Sequence, residues 1–275
     1  MEDKCIKEKT YIRNTEELHD TQNSIDNRNI GISRVGIRNF KVPIKIPQKN
    51  GEVQQTVGSF NLYVSLNEKQ KGIHMSRLSR VINSCIVGKS FNLEGLEEVF
   101  IKMLEMQEAD EGYIEVIFPY FISKEAPVSQ EKSFLNYNCK FVVKKENGDE
   151  IKTKIEVGVY VTTSCPCSKN ISDYNSHNQR GLVTTRFNVN KFIWLEDIIS
   201  VIESCGSCEI FSTLKRVDER FITMKMYDNP KFVEDMVRDV FINLKKIEGI
   251  SKIQVECENE ESIHLHNAYA IIKGE

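Results

Sequence analysis

The chain has 275 residues, 40% of them hydrophobic and 28% charged, with a formal net charge of -3. That length suits one large domain or two ordinary ones, and the charge balance gives no electrostatic case for a nucleic-acid partner. No apolar run approaches the roughly 20 residues that span a bilayer, and the N-terminus from Met1 to Lys9 is too polar for a signal peptide. The expectation is a cytoplasmic protein without a membrane partner, whose eight cysteines stay reduced as ligands or nucleophiles.

Residues 1–30 are rich in Asn, Asp, Glu and Lys and read as a tail, or an arm lying over a neighbouring segment. Two strands follow at Ile32–Ile46 and Val53–Leu66, joined by a turn at Gln48–Gly51. Next come two helices: Met75, Leu78, Val81, Ile82 and Cys85 share one face, and so do Leu93, Leu96, Phe100 and Met103. Tyr113–Ile122 and Phe134–Val143 predict two more strands. The order then repeats. From Ile151 to Val161 apolar residues alternate with polar ones, a two-residue period that predicts a strand. Leu182–Val189 supplies its partner. A helix is expected around Trp194–Cys205, and a stronger one at Asn229–Lys246 with an asparagine cap and Pro230 at its first position. Strands at Ile250–Cys257 and Leu265–Ile272 end the chain.

Strand-strand-helix-helix-strand-strand therefore occurs twice, in residues 31–148 and 149–275. The architecture repeats without matching sequence. Twin antiparallel sheets with helices on one face make an α+β protein, and their edge strands invite oligomerisation.

The chemistry concentrates after the alternating strand. Cys165-Pro-Cys167 and His177 are typical metal-ligand types, and the polar residues around them speak against an ordinary buried thiol. By itself such a pair also suits two small, partly buried cysteines. Cys205-Gly-Ser-Cys208 has redox spacing, but neither a second CxxC nor a βαβ context completes it. The run Leu214–Arg220 is ordinarily a solvated face ahead of an apolar helix, although Glu219 could give an oxygen ligand. Glu234 sits on the shoulder of the helix predicted from Asn229. His264 and His266 share one face of a predicted strand. Near the first helix, Lys71–Arg77 places His74 and Arg77 where phosphate could bind.

Five segments together resemble the GTP cyclohydrolases of the IB class: Lys71–Arg77, Cys165–Arg180, Leu214–Glu219, Asn229–Asp239 and Glu261–His266. The resemblance covers nearly all of the chain from Ile30 onward. Asn175-Ser176 replaces the family's usual Gly-Ala, and Val217 stands where a proline is common. The resemblance implies two tunnelling-fold modules per chain and a homotetramer with interfacial sites. It implies conversion of GTP and water to 7,8-dihydroneopterin triphosphate and formate, by metal-activated water attacking guanine C8. It implies a metal (zinc, manganese or iron) on Cys165, His177 and Glu219, with Cys165 also catalytic. Glu234 would anchor guanine and His264 would act as the catalytic histidine. His74, Arg77 and Lys215 would hold the triphosphate. Two alternatives share the scaffold: another tunnelling-fold pterin or deazapurine enzyme, and a non-catalytic metal-binding protein. The nitrile reductase of that superfamily needs a nucleophilic cysteine and a nicotinamide cofactor, for which the chain has no matching signature. A non-catalytic relative would be expected to lose Glu234 or His264, and both are present.

Overall fold

The computed structural model of the chain describes residues 20–146 and 148–275. In chain order the elements are β1 (Ile32–Pro47), β2 (Val53–Leu66), α1 (Met75–Cys85), α2 (Leu93–Gln107), β3 (Gly112–Glu125), β4 (Lys132–Lys145), β5 (Lys152–Ser164), α3 (Pro166–Ile171), β6 (Asn178–Val189), α4 (Leu195–Cys205), β7 (Cys208–Glu209), α5 (Arg216–Asp228), α6 (Val233–Leu244), β8 (Ile250–Glu260) and β9 (Ala268–Gly274). The class is α+β, as the sequence predicts.

The two halves share one sheet and do not form twin sheets. Its order is β1-β2-β3-β4-β5-β6-β8-β9, with the short β7 also on β5. The joint is the antiparallel pairing of β4 with β5, from Asn138 opposite Gly158 to Lys144 opposite Lys152. An edge strand in each half has been consumed by the other, which removes two of the exposed edges that separate sheets would carry. A single core follows, running from Ile44 and Phe60 through Val157 and Ile198 to Val255.

Alternation decides the faces. Ile155, Val157, Val159 and Val161 of β5 are buried in the core beneath the helices, while Tyr160 between them is exposed. The opposite face carries a ladder of charges. Glu115 of β3, Lys140 of β4, Glu156 of β5, Arg186 of β6 and Glu256 of β8 alternate in sign across five strands. The ion-pair distances are 4.0, 3.4, 2.7 and 2.8 Å in that order. Register places Lys140 opposite Glu156 and Glu156 opposite Arg186, so the ladder crosses the joint between the halves.

Two helix boundaries differ from expectation. The charged run at Leu214–Arg220 opens α5 itself. Its start is set by Asp218, whose carboxylate accepts the Lys215 backbone N–H at 2.9 Å. Asn229 then closes α5 instead of opening α6. The later helix begins at Val233, where Asp235 accepts the Phe232 backbone N–H at 3.0 Å. A carboxylate three residues inside the helix outcompetes the Asn-Pro pair as a start signal.

The described part of the N-terminal arm lies along residues 69–72. The Asp26 N–H donates to the Lys69 carbonyl at 2.9 Å and the Gly72 N–H to the Gln22 carbonyl at 3.2 Å. The rest of the expected tail, residues 1–19, lies outside the described residues, as does Asn147 at the expected boundary. Among the described residues no helix is long and apolar enough to cross a membrane.

Candidate active site at the ends of β5, β6 and β8

Register brings three strand ends together. Ser164 of β5 pairs with Asn178 of β6, and Arg180 of β6 pairs with Glu260 of β8. One residue beyond the strands, the Cys165 N–H donates to the His177 carbonyl at 3.1 Å. Between these two the chain makes α3, a single short helix with Pro166 at its first position. Ser168 locks the loop: its hydroxyl donates to the Cys165 carbonyl at 3.2 Å and accepts the His177 N–H at 3.2 Å. The twelve residues from Cys165 to His177 thus return the chain to its starting point, with the two backbones bonded to each other.

Glu261, the residue after β8, completes the cluster. His177 Nδ1 is buried without a hydrogen-bond partner and lies 3.8 Å from Glu261 Oε2. That gap is too long for a hydrogen bond. It is within the roughly 4.2 Å that two ligands, each about 2.1 Å from one cation, can at most span. Around it the buried Thr163 Oγ1, Gln179 Oε1 and Asn259 Nδ2 also lack partners, all near the ends of these strands. Unpaired buried polar atoms cost about 1–3 kcal/mol each, so their concentration here marks a place built for something polar.

The other sequence candidates are spread wider. Glu219 is exposed in the first turn of α5. The far end of that helix is what approaches the cluster, because the Lys169 ammonium of α3 donates to the Tyr227 carbonyl. Glu219 therefore stands about 12 Å back along the helix. Among the described residues no three His, Cys, Asp or Glu groups gather as a metal site. Glu234 lies in the first turn of α6, exposed and, among the described residues, without a partner; capping there falls to Asp235. The loop before α6 is fixed beside the cluster by the Lys231 N–H, which donates to the Ser164 carbonyl at 3.0 Å. His264 and His266 are not on a strand. They sit in the β8–β9 connection, exposed, with rings stacked 4.9 Å apart.

Of the three proposed phosphate contacts, Arg77 and Lys215 are engaged elsewhere within this chain, and His74 stands beside a carboxylate without a hydrogen bond at its Nε2. His74 Nε2 lies 3.2 Å from an Asp20 carboxylate oxygen. Arg77 donates to the Met106 carbonyl at 2.8 Å, capping the end of α2, and Lys215 pairs with Glu131 at 2.7 Å. The CxxC does not act as a pair. Cys205 belongs to the main core and Cys208 to a small cluster with Ile222 and Met226. Burial pushes the Cys205 thiol up and that of Cys208 up to about 11, so neither is a ready thiolate.

A family model described as "Type I GTP cyclohydrolase folE2" matches residues 18–270. The chain belongs to this family. It is 46% identical over 256 residues to a protein named GTP cyclohydrolase FolE2 from Nitrosomonas eutropha, covering 93% of this chain and 95% of that one. It is 45% identical over 258 residues to the protein of that name from Nitrosococcus oceani, covering 94% and 96%. Among solved structures it is similar to a hyperthermostable mutant of Bacillus sp. TB-90 urate oxidase, with a TM-score of 0.51 and 8% identity, over 88% of this chain and 99% of that one. That likeness concerns fold alone, and the fold is the tunnelling fold expected from the sequence. Within this family Glu261 is the member of the cluster that sequence reasoning quoted in a motif but gave no role. Its signal was position, one residue past a strand whose register leads to His177.

Proposed function

We propose that the chain is a GTP cyclohydrolase, converting GTP and water to 7,8-dihydroneopterin triphosphate and formate, the entry to tetrahydrofolate synthesis, in the cytoplasm. The observation that supports the reading is the approach of the His177 imidazole to the Glu261 carboxylate, with the Cys165 backbone bonded to that of His177, at one end of the sheet in a chain that belongs to the family over most of its length.

The donor set suits a divalent cation: one sulfur, one imidazole nitrogen left unpaired in a buried setting, and a carboxylate at cation-spanning distance. Such a cation supplies a nucleophile at neutral pH by acidifying water. Guanine C8 is a poor electrophile, which is why that help is needed. Cys165 and His177 hold the cation, with Glu261 from the same chain. Glu219, remote from this cluster in its own chain, reaches the site of a second copy. Residues bound for an interface explain the exposure of Ile171, Tyr174, Ile263 and Leu265 around the cluster. A tetramer with interfacial sites meets these requirements.

Glu234 accepts hydrogen bonds from guanine N1–H and the exocyclic amine, an edge that adenine does not offer. His264 moves the proton during ring opening. His74, Arg77 and Lys215 carry the positive charge for the triphosphate, exchanging their present partners for phosphate oxygens. Incubating metal-reconstituted protein with GTP and identifying products by mass and fluorescence tests the reading. Formate and the fluorescent oxidised pterin are expected; unchanged GTP with the metal bound would overturn it.

A further inference from the structure

A second cavity lies far from this site, at the start of β5 on the helix-covered face. Its volume is about 130 Å³, and its walls include Phe141, Ile155, Phe192 and Trp194 together with Glu94 and Glu97. From Ile155 to Cys165 the chain runs ten residues of strand, roughly 33 Å. Both halves contribute walls: α2 gives the glutamates, and the β6–α4 connection gives the aromatic pair.

The charge in this cavity is one-sided. Asn92 spends its side-chain oxygen on the Gly95 N–H at 3.0 Å, and the Thr153 hydroxyl donates to the Val189 carbonyl at 2.8 Å. The one lysine of the lining, Lys191, pairs with Glu248 at 2.6 Å. Glu94 accepts a long hydrogen bond from the Asn92 side-chain amide at 3.5 Å, but neither Glu94 nor Glu97, one helical turn apart, forms an ion pair among the described residues, and like charges at that spacing repel. Phe192 and Trp194 meet edge to face with ring centroids 4.6 Å apart, and both line the cavity. Carboxylates without a cationic partner among the described residues, lining one cavity with an indole and a phenyl ring, are the chemistry that recognises organic cations. The volume is close to the roughly 150 Å³ of apolar cavities that accept a benzene-sized guest.

We propose that this cavity binds a compact organic cation, a quaternary ammonium or alkylated amine, between the Phe192–Trp194 pair and the carboxylates of Glu94 and Glu97. Such a ligand touches both halves of the chain at once and relieves the glutamate repulsion. Nothing in it depends on the cyclohydrolase site.

Trp194 is the chain's single tryptophan, so its emission reports this cavity alone. The full-length protein is titrated with choline chloride at constant ionic strength. In parallel it is titrated with choline's uncharged counterpart, in which a tert-butyl group replaces the trimethylammonium. A saturable change with choline and none with the neutral compound is expected. Glu97→Gln and Phe192→Leu should each weaken the apparent affinity about tenfold, the scale of one desolvated cation–π or charge contact. Unperturbed emission of the ligand-free Glu97→Gln variant confirms that its fold is retained. No saturable response, an equal response to the neutral compound, or unchanged affinity in both variants would overturn the proposal.

Discussion

Asp218 accepts both the backbone N–H of Ser129, at 2.8 Å, and the Ser129 hydroxyl, at 2.6 Å, tying the first turn of α5 to the β3–β4 connection. The same carboxylate takes the N–H groups of Val128 and Lys215 at 2.9 Å each, and its side chain is fully buried. Burial alone would raise its pKa. The Ser129 hydroxyl and the three backbone donors outweigh that and hold it well below the usual carboxylate range. One aspartate thus orients the turn that carries Glu219.

A carboxyl depressed on folding stabilises the folded state above its unfolded pKa, about 4. That contribution fades as pH falls from there through the lower folded value. Melting temperature measured against pH should therefore drop more steeply below about pH 4 in the parent than in Asp218→Asn. Parallel curves would show that Asp218 is not the group responsible. The variant should also be less stable at neutral pH, because an amide cannot accept through both of its terminal atoms.

Removing the metal should act on stability as well as activity. Cys165→Ala leaves the centre without its sulfur donor, so turnover should vanish and metal should no longer co-purify. In the parent, a cation held at a hundred times its dissociation constant adds about 2.7 kcal/mol to the folded state. Chelation should lower its melting temperature and leave that of Cys165→Ala unmoved. Normal metal content in the variant would reject Cys165 as a ligand.

Much of this was legible in the sequence, and the exceptions have physical causes. Strict alternation from Ile151 to Val161 marks β5 because the strand has one buried and one solvated face. The single sheet was not legible, since nothing local distinguishes an edge strand from one that pairs with the next repeat. Lys144 opposite Lys152 even argues against the joint; the ladder through Lys140 and Glu156 compensates four residues further in. Asn229-Pro230 looked like a helix start because both residues favour one, yet Asn229 terminates α5. At the candidate site, the return of His177 to Cys165 was readable from residue type and spacing. Glu261 was not, because its proximity to His177 exists only through the pairing of β6 with β8.

Sharing of the site between copies has a direct test. Cys165→Ala and Glu219→Ala should each be inactive alone. Co-assembled, they should regain activity, since some interfaces then combine an intact Cys165 with an intact Glu219. Glu261→Ala should complement Glu219→Ala but not Cys165→Ala, because Glu261 and Cys165 belong to one chain's cluster. Failure of every mixture to recover activity, with mixed oligomers shown to form, would place Glu219 outside the shared site.

Glu156 sits between Lys140 and Arg186, at 3.4 and 2.7 Å, in the ladder that crosses the joint. Half-exposed ion pairs contribute little singly, about 0.2–1 kcal/mol. Removing the shared partner breaks two of them and leaves like charges adjacent. Glu156→Ala should cost about 1–2 kcal/mol in urea unfolding at low salt, and clearly less at high salt where the ladder is screened. A loss independent of salt would point to packing instead of charge.

Substituting Glu234 tests recognition of guanine apart from binding of metal. Its neighbour Asp235 caps α6, so substituting Glu234 should leave the helix and the fold intact. If the carboxylate accepts from two guanine donors, Glu234→Gln keeps one acceptor and loses the charge. A charge-assisted hydrogen bond is worth about 1.5–3 kcal/mol, or roughly one to two decades in kcat/KM. Glu234→Ala should lose more, and both variants should retain metal, because no ligand has been removed. Binding of GTP relative to ATP gives the sharper readout, since the loss should fall on GTP alone. A variant that loses metal together with activity would move Glu234 into the metal centre. One that turns over GTP like the parent would return it to an ordinary charge on the surface of α6.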